Sequence, residues 1–149
     1  MKKFLVLALL AVLVLLPDPV FAARVKTTEI MDTDFNAVTT SDNSTAVNIQ
    51  GRDKVSFVVT YDETEVALAI SAAITVDISF DGTNYLDASF YDYGGGATLQ
   101  TSETISADGR YYFWFNKDLC VPYVRVNVVA TNTDVDDLLT VKVSIATKE

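Results

Sequence analysis

Residues 122–131 of the chain, Pro-Tyr-Val-Arg-Val-Asn-Val-Val-Ala-Thr, indicate its fold class most directly. Apolar residues recur at every second position, at Val124, Val126, Val128 and Ala130. Successive side chains of a β-strand point to opposite faces, so this period of two is typical of a strand with one buried face. Valine is also β-branched and fits a pleated surface. We therefore predict a half-buried antiparallel strand here.

The same alternation recurs along the rest of the chain. It is near-strict over residues 54–61, 74–81 and 139–147, and weaker over 46–50, 85–90 and 97–105. The dipeptides Asp81-Gly82 and Asp108-Gly109 are hairpin-type turns, because glycine tolerates positive φ. Only residues 66–73 resemble a helix, and an apolar loop explains them equally well. The pattern predicts an all-β fold, an antiparallel β-sandwich or jelly-roll-like domain of about eight strands.

The first 22 residues have the features of a secretory signal peptide. Lys2 and Lys3 precede an unbroken apolar run over residues 4–16, which is too short to cross about 30 Å of hydrocarbon as a helix. Prolines follow, and Ala22 ends a plausible cleavage site. We expect cleavage after Ala22 and a protein that is secreted, extracellular or on the cell surface, with no membrane segment left. A retained membrane anchor is the alternative.

The expected exported chain divides at residue 44. Residues 45–149 hold the predicted strands, whereas residues 23–44 are rich in Thr, Asp and Asn. They predict an N-terminal linker with one strand, or an extended arm that adds to the sheet edge of a neighbouring subunit. Cys120 is the single cysteine and has apolar neighbours, which predicts a buried, inert thiol. An intermolecular disulfide or a reactive nucleophile is the alternative.

Composition argues against several classes of function. The chain has no histidine, which removes the usual general base and a common zinc ligand. Its formal net charge of -9 disfavours nucleic acid, because phosphate binding needs a basic face. We therefore expect no enzyme and no nucleic-acid partner. A carboxylate pair for glycoside hydrolysis stays open, since the separation it requires is spatial.

Aromatic residues are the candidate ligand or interface residues. In the run 111–115, alternation places Tyr112 and Trp114 on one face, about 7 Å apart along the strand. This spacing suits stacking on successive sugar rings or anchoring a protein interface. Burial of both rings under a second sheet is the alternative. Tyr91 and Tyr93, beside a triple-glycine loop, form a second candidate pair.

Clustered carboxylates raise the separate question of a metal. Acidic residues lie close together at 32–34, at 62–65 and at 134–137. Carboxylate oxygens bind calcium, but none of these clusters has the spacing of an EF-hand loop. Solvated loop tips explain them with nothing added. We therefore expect no cofactor, with calcium at Asp134, Asp136 and Asp137 as a weak alternative.

Two segments together resemble a known group of proteins. Residues 76–85 contain Ser-Phe-Asp-Gly-Thr-Asn-Tyr after a strand, and residues 122–126 contain Tyr-Val-Arg-Val. A closing hairpin follows over residues 130–141. These features resemble the small β-sandwich modules of tailed-phage virion proteins, both capsid-decorating and tail- or fibre-associated. The resemblance implies assembly or surface adhesion without catalytic residues. The predicted export signal departs from it, because virion proteins are normally made in the cytoplasm.

Two functional hypotheses follow. In the first, the protein is an exported structural subunit of a surface or filament assembly that associates with copies of itself or another surface protein through sheet edges or faces. In the second, it is a carbohydrate-binding module that uses the paired aromatics, with or without calcium.

Overall fold

A computed structural model describes residues 25–36, 38–52, 54–64, 70–93, 98–115, 121–131, 133 and 138–148. Within these residues the chain is all-β. The twelve strands are β1 (Val25–Phe35), β2 (Ser41–Asn43), β3 (Val47–Asn48), β4 (Lys54–Glu63), β5 (Ser71–Ser79), β6 (Leu86–Ala88), β7 (Phe90–Asp92), β8 (Leu99–Gln100), β9 (Glu103–Ile105), β10 (Gly109–Phe115), β11 (Tyr123–Thr131) and β12 (Leu139–Lys148). The predicted all-β class is confirmed.

The strands form two antiparallel sheets. Sheet A has the order β1-β12-β4-β10-β7-β8. Sheet B has the order β2-β11-β5-β6, with β3 also paired to β11 and β9 also paired to β5. The first and last strands are neighbours in sheet A, and the chain crosses between the sheets at most connections. This wrapping of two antiparallel sheets is that of a jelly roll.

The described residues form twelve strands rather than the predicted eight, because the edges of the sandwich are interrupted. β2 and β3 are two pieces of one edge along β11, and β6 and β9 are two pieces of one edge along β5. Between β6 and β9 the chain crosses to sheet A, where β7 and β8 form an inserted hairpin. With each split edge counted once and that hairpin set aside, the eight strands of a jelly roll remain.

The core lies between the sheets and follows the predicted alternation. In β11, Val124, Val126 and Val128 are fully buried. Phe90 and Phe113 meet edge to face, with ring centroids 5.3 Å apart. Each buried polar side-chain atom in the described part of the chain has a hydrogen-bond partner. Burial on this scale is the main source of stability of such a domain.

Residues 25–43, which belong to the segment 23–44 predicted as a linker with one strand or an extended arm, supply β1 and β2. β1 pairs with β12 along its whole length, from Val25 opposite Lys148 to Phe35 opposite Leu139. The alternation is hidden in the sequence because a bulge at Ile30 turns Ile30 and Met31 inward consecutively. The first five residues of β1 are exposed, as expected of an edge strand, so they carry no apolar period.

Three other predictions concern residues that the structure describes only in part or not at all. β5 begins at Ser71, so the end of the helix-like patch belongs to a strand, while residues 65–69 lie outside the described residues. Residues 1–24 and Cys120 also lie outside them, so the signal peptide and the buried thiol stay predictions. In the described residues no helix has the length and apolar character needed to cross a membrane.

Candidate functional site

The alternation predicted for β10 is confirmed. Phe113 and Phe115 are buried in the core, and Tyr112 and Trp114 point to the outer face of sheet A. Tyr112 is 51% exposed, and Trp114 is half-buried. The outer side chains of β10 are therefore available to solvent, and sheet B does not cover them.

The two separately predicted aromatic pairs form one cluster. Trp114 lies opposite Tyr91 on β7, and their rings stack with centroids 4.1 Å apart and planes 13° apart. The Tyr93 N–H donates to the Tyr112 carbonyl at 2.9 Å, which holds Tyr93 beside Tyr112. Tyr93 is 79% exposed. We call Tyr91, Tyr93, Tyr112 and Trp114 the aromatic cluster.

A groove lies on the other side of the Trp114 ring. Tyr91 occupies the indole face towards β7, whereas the residue opposite Trp114 on β4 is Ser56, whose side chain is small. The groove has a volume of about 360 Å³, near the lower end of the range for small-molecule pockets. Its walls are mostly apolar. They are formed by Ser56, Tyr93, Tyr112, Phe113 and Trp114.

The aromatic cluster belongs to a wider band of uncharged side chains across sheet A. Two rows of the outer face run from β12 to the β7–β8 hairpin without a charged residue. We call these two rows the central band. It consists of Ser144, Ala146, Ser56, Val58, Tyr112, Trp114, Tyr91, Tyr93 and Leu99. Depletion of charge together with enrichment in Tyr and Trp is the compositional signature of an interface core.

Charges of opposite sign flank the central band. At one end of the strands lie Lys54 and Lys148, which are opposite each other on β4 and β12. At the other end lie Asp62 and Asp34, and Thr140 donates to Asp34 at 2.7 Å. All four charged residues are exposed.

The row between the central band and the acidic end contains both signs. Lys142 donates to Asp32 at 2.8 Å, and this carboxylate raises the pKa of Lys142. Arg110 of β10 is exposed in the same row. The ion pair between Lys142 and Asp32 is largely neutral, which leaves the face basic at the Lys54 end and acidic at the Asp62 end.

The outer face of sheet B is different in character. The Arg125 Nε donates to Asp77 at 2.9 Å, and its guanidinium lies 4.0 Å from the centroid of the Tyr85 ring. Arg125 is thus held on both sides by its own chain. The neighbouring turn is rigid, since Asp81 accepts hydrogen bonds from the N–H groups of Thr83 and Asn84. These features stabilise the outer face of sheet B.

No metal site is present in the described residues, where no three His, Cys, Asp or Glu side chains are grouped suitably. The weak calcium candidates Asp134, Asp136 and Asp137 lie outside these residues, and so does Glu65. Asp32 and Asp34 bind Lys142 and Thr140 respectively. Both have a structural role within the sheet.

Comparison with known proteins does not assign the chain to a group. No protein-family model matches it, and no curated protein is significantly similar to it. The candidate function therefore depends on the site.

Sequence reasoning missed Ser56, Leu99 and the charged ends of sheet A. Ser56 and Lys54 lie on β4, and their alignment with β10 depends on strand order, which no local pattern encodes. Alternation indicates which residues of β4 and β12 point outward. It does not indicate which residues lie beside them on the neighbouring strands.

Proposed function

We propose that the protein is a non-catalytic, exported structural subunit that associates with copies of itself through the outer face of sheet A. The observation that carries this proposal is the central band: an uncharged strip with exposed aromatic residues in a chain whose formal net charge is -9. Tyr and Trp anchors at the centre and charges at the rim are the usual anatomy of an association surface.

The edges of the sandwich are less suited to association than this face. β8 has two residues, and both edges of sheet B are split into pieces of two or three residues. On β1, the exposed Lys26 lies opposite Thr147, a buried position, so it occupies an inward-facing site. The Ile30 carbonyl already accepts from Thr45 N–H at 2.9 Å. Short edges, bulges and inward charges all oppose strand addition.

The jelly-roll fold supports this proposal without deciding it. Jelly rolls occur in viral capsid subunits and also in lectins, so the fold is compatible with assembly and with sugar binding. The resemblance to virion β-sandwich modules favours assembly, and the predicted signal peptide favours a location outside the cytoplasm.

The oligomeric state of the exported protein tests the proposal. Light scattering with size-exclusion chromatography should show a concentration-dependent oligomer, and Tyr112→Ser with Trp114→Ser should shift it to monomer. Phe80→Ser is a matched control, because Phe80 is 67% exposed but lies on the turn after β5 in sheet B. A wild-type protein that stays monomeric at millimolar concentration would contradict the proposal.

The groove beside Trp114 favours a second candidate function, carbohydrate binding. In the described residues only the Tyr91 ring stacks on Trp114, so a pyranose ring can stack on the second indole face, which borders the groove. Ser56→Leu would fill the groove while leaving the aromatic residues in place. Glycan binding on an array should then disappear in Ser56→Leu and persist in Phe80→Ser, and retained binding in Ser56→Leu would contradict this second function.

A further inference from the structure

The outer face of sheet A is complementary to itself in one orientation. Tyr112, Val58 and Ser144 lie in one row across β10, β4 and β12. On β4, Lys54 lies four residues before Val58 and Asp62 lies four residues after it. Both side chains are outward and exposed. A rotation of 180° about this row reverses the strand direction, and it therefore exchanges the position of Lys54 with that of Asp62.

We infer that two copies pack face to face through sheet A, with a two-fold axis that lies in the interface, perpendicular to the strands, and passes along the Tyr112 row. This inference rests on the proposed function and specifies its partner and symmetry. The axis brings Lys54 of each copy against Asp62 of the other. Lys148 meets the Thr140 position, beside Asp34.

The same axis places the aromatic residues favourably. Arg110 and Trp114 lie two residues on either side of Tyr112, so they exchange places across the interface. Arg110 of one copy then approaches the Trp114 ring of the other, which is a cation–π geometry. Tyr112 meets Tyr112 of the second copy at the axis, where aromatic hot spots usually cluster.

The alternative axis, parallel to the strands, is less favourable. It would place the Lys54–Lys148 end of one copy against the same end of the other, and the Asp34–Asp62 end likewise. Like charges facing each other across an interface oppose association. The inferred axis also brings Glu29 of β1, which lies in the Tyr112 row, close to its own copy at the exposed edge of the sheet. The Lys54 and Asp62 ends, which the alternative axis would each place against themselves, still favour the inferred arrangement.

The dimensions of the face match a dimer interface. The sheet presents about 20 outward positions, five each on β1, β12 and β4 and about five on the shorter β10, β7 and β8. With strands about 4.8 Å apart and outward side chains about 6.7 Å apart along a strand, each position covers about 32 Å², which gives the area of the face. This is about 650 Å², close to the roughly 800 Å² that each partner buries in a standard interface. Aligned packing of twisted sheets rotates the two strand directions by about 30°, which keeps the charged ends in reach of one another.

Two charge-reversed variants test the arrangement. The first carries Lys54→Glu and Lys148→Glu, so both ends become acidic; the second carries Asp34→Lys and Asp62→Lys, so both become basic. Each alone should dimerise at least tenfold more weakly than the wild type in analytical ultracentrifugation at low salt. Mixing the two should restore a dimer of near wild-type affinity, and this rescue requires both variants to be folded.

The outcomes separate this inference from the proposed function. If both variants dimerise as well as the wild type while Tyr112→Ser does not, the face is correct and the axis is wrong. If each is weakened but mixing restores nothing, the inferred pairing of ends is also wrong. If the wild type never dimerises, the proposed function fails with it.

Discussion

Ser44 closes the gap between β2 and β3, and its hydroxyl group provides a stability test of the sheet B edge. The Ser44 N–H donates to the Val126 carbonyl at 2.8 Å. The Val126 N–H in turn donates to the Ser44 Oγ at 2.9 Å. A side-chain oxygen therefore replaces the backbone carbonyl that a continuous edge strand would supply. Ser44→Ala removes that acceptor and leaves the rest of the edge intact.

The size of the effect follows from burial. Val126 is fully buried and Ser44 is 6% exposed, so water has little access to the freed N–H group. A buried donor without a partner costs about 1–3 kcal/mol of folding free energy. The cavity left by the hydroxyl group is too small to add much to this loss. We expect a loss of about 2 kcal/mol. For a domain of this size that corresponds to a fall in Tm of about 5–10 °C.

Urea denaturation of Ser44→Ala and Ser41→Ala measures this loss. Ser41 lies on the adjoining strand β2 but is exposed, so its substitution should change the free energy of unfolding by no more than about 0.5 kcal/mol. Hydrogen exchange should also accelerate selectively at the Val126 amide in Ser44→Ala. Equal stability of the two variants would refute the view that the hydroxyl completes the sheet.

Four further substitutions probe the turn chemistry and the core. Gly82 and Gly51 both have φ +76°, but a Cβ at Gly82 would lie 3.3 Å from the Tyr123 ring, whereas one at Gly51 meets nothing within 4 Å. Gly51→Ala should cost about 1–2 kcal/mol from backbone strain, and Gly82→Ala should cost more in thermal denaturation; equal costs would rule out the ring contact. Burial and a nearby carboxylate raise the pKa of Tyr61 above its ordinary value. The wild type should therefore lose stability as pH rises above about 10, where the unfolded phenol ionises first, and Tyr61→Phe should lose less; parallel pH profiles would contradict this. Backbone hydrogen bonds lower the pKa of Asp81. Its stabilisation should be complete at neutral pH and decline as pH falls below about 4, so the Tm difference between wild type and Asp81→Asn should shrink there, and a pH-independent difference would argue otherwise.

The long central strands could be predicted because their burial is one-sided. The sequence predicts a strand over 122–131, and β11 covers Tyr123–Thr131. The prediction over 139–147 agrees equally well with β12 at Leu139–Lys148. These strands have neighbours on both sides and a core on one face, so nearly every second residue must be apolar.

The edges could not be predicted in the same way. β1 loses its period at Ile30, and the predicted strand over 85–90 divides into β6 and β7 because the chain changes sheets at residue 89. Edge residues are constrained on one side only, and bulges are selected for pairing geometry. A pattern with one fixed period cannot represent either feature.

The candidate site shows the same limit more sharply. Alternation alone predicts that Tyr112 and Trp114 share a face, because they are two residues apart on one strand. It cannot predict that Tyr91 stacks on Trp114, since this depends on the crossing of β7 from one sheet to the other. Nor can it align Lys54 and Asp62 with the Tyr112 row, because the register between β4 and β10 is a property of the whole sheet. A chemistry that depends on one residue is visible in sequence, whereas complementarity of a face arises only when strand order and register are known. For a protein whose proposed function is association with other subunits, the functional information therefore lies mainly in the strand order and register.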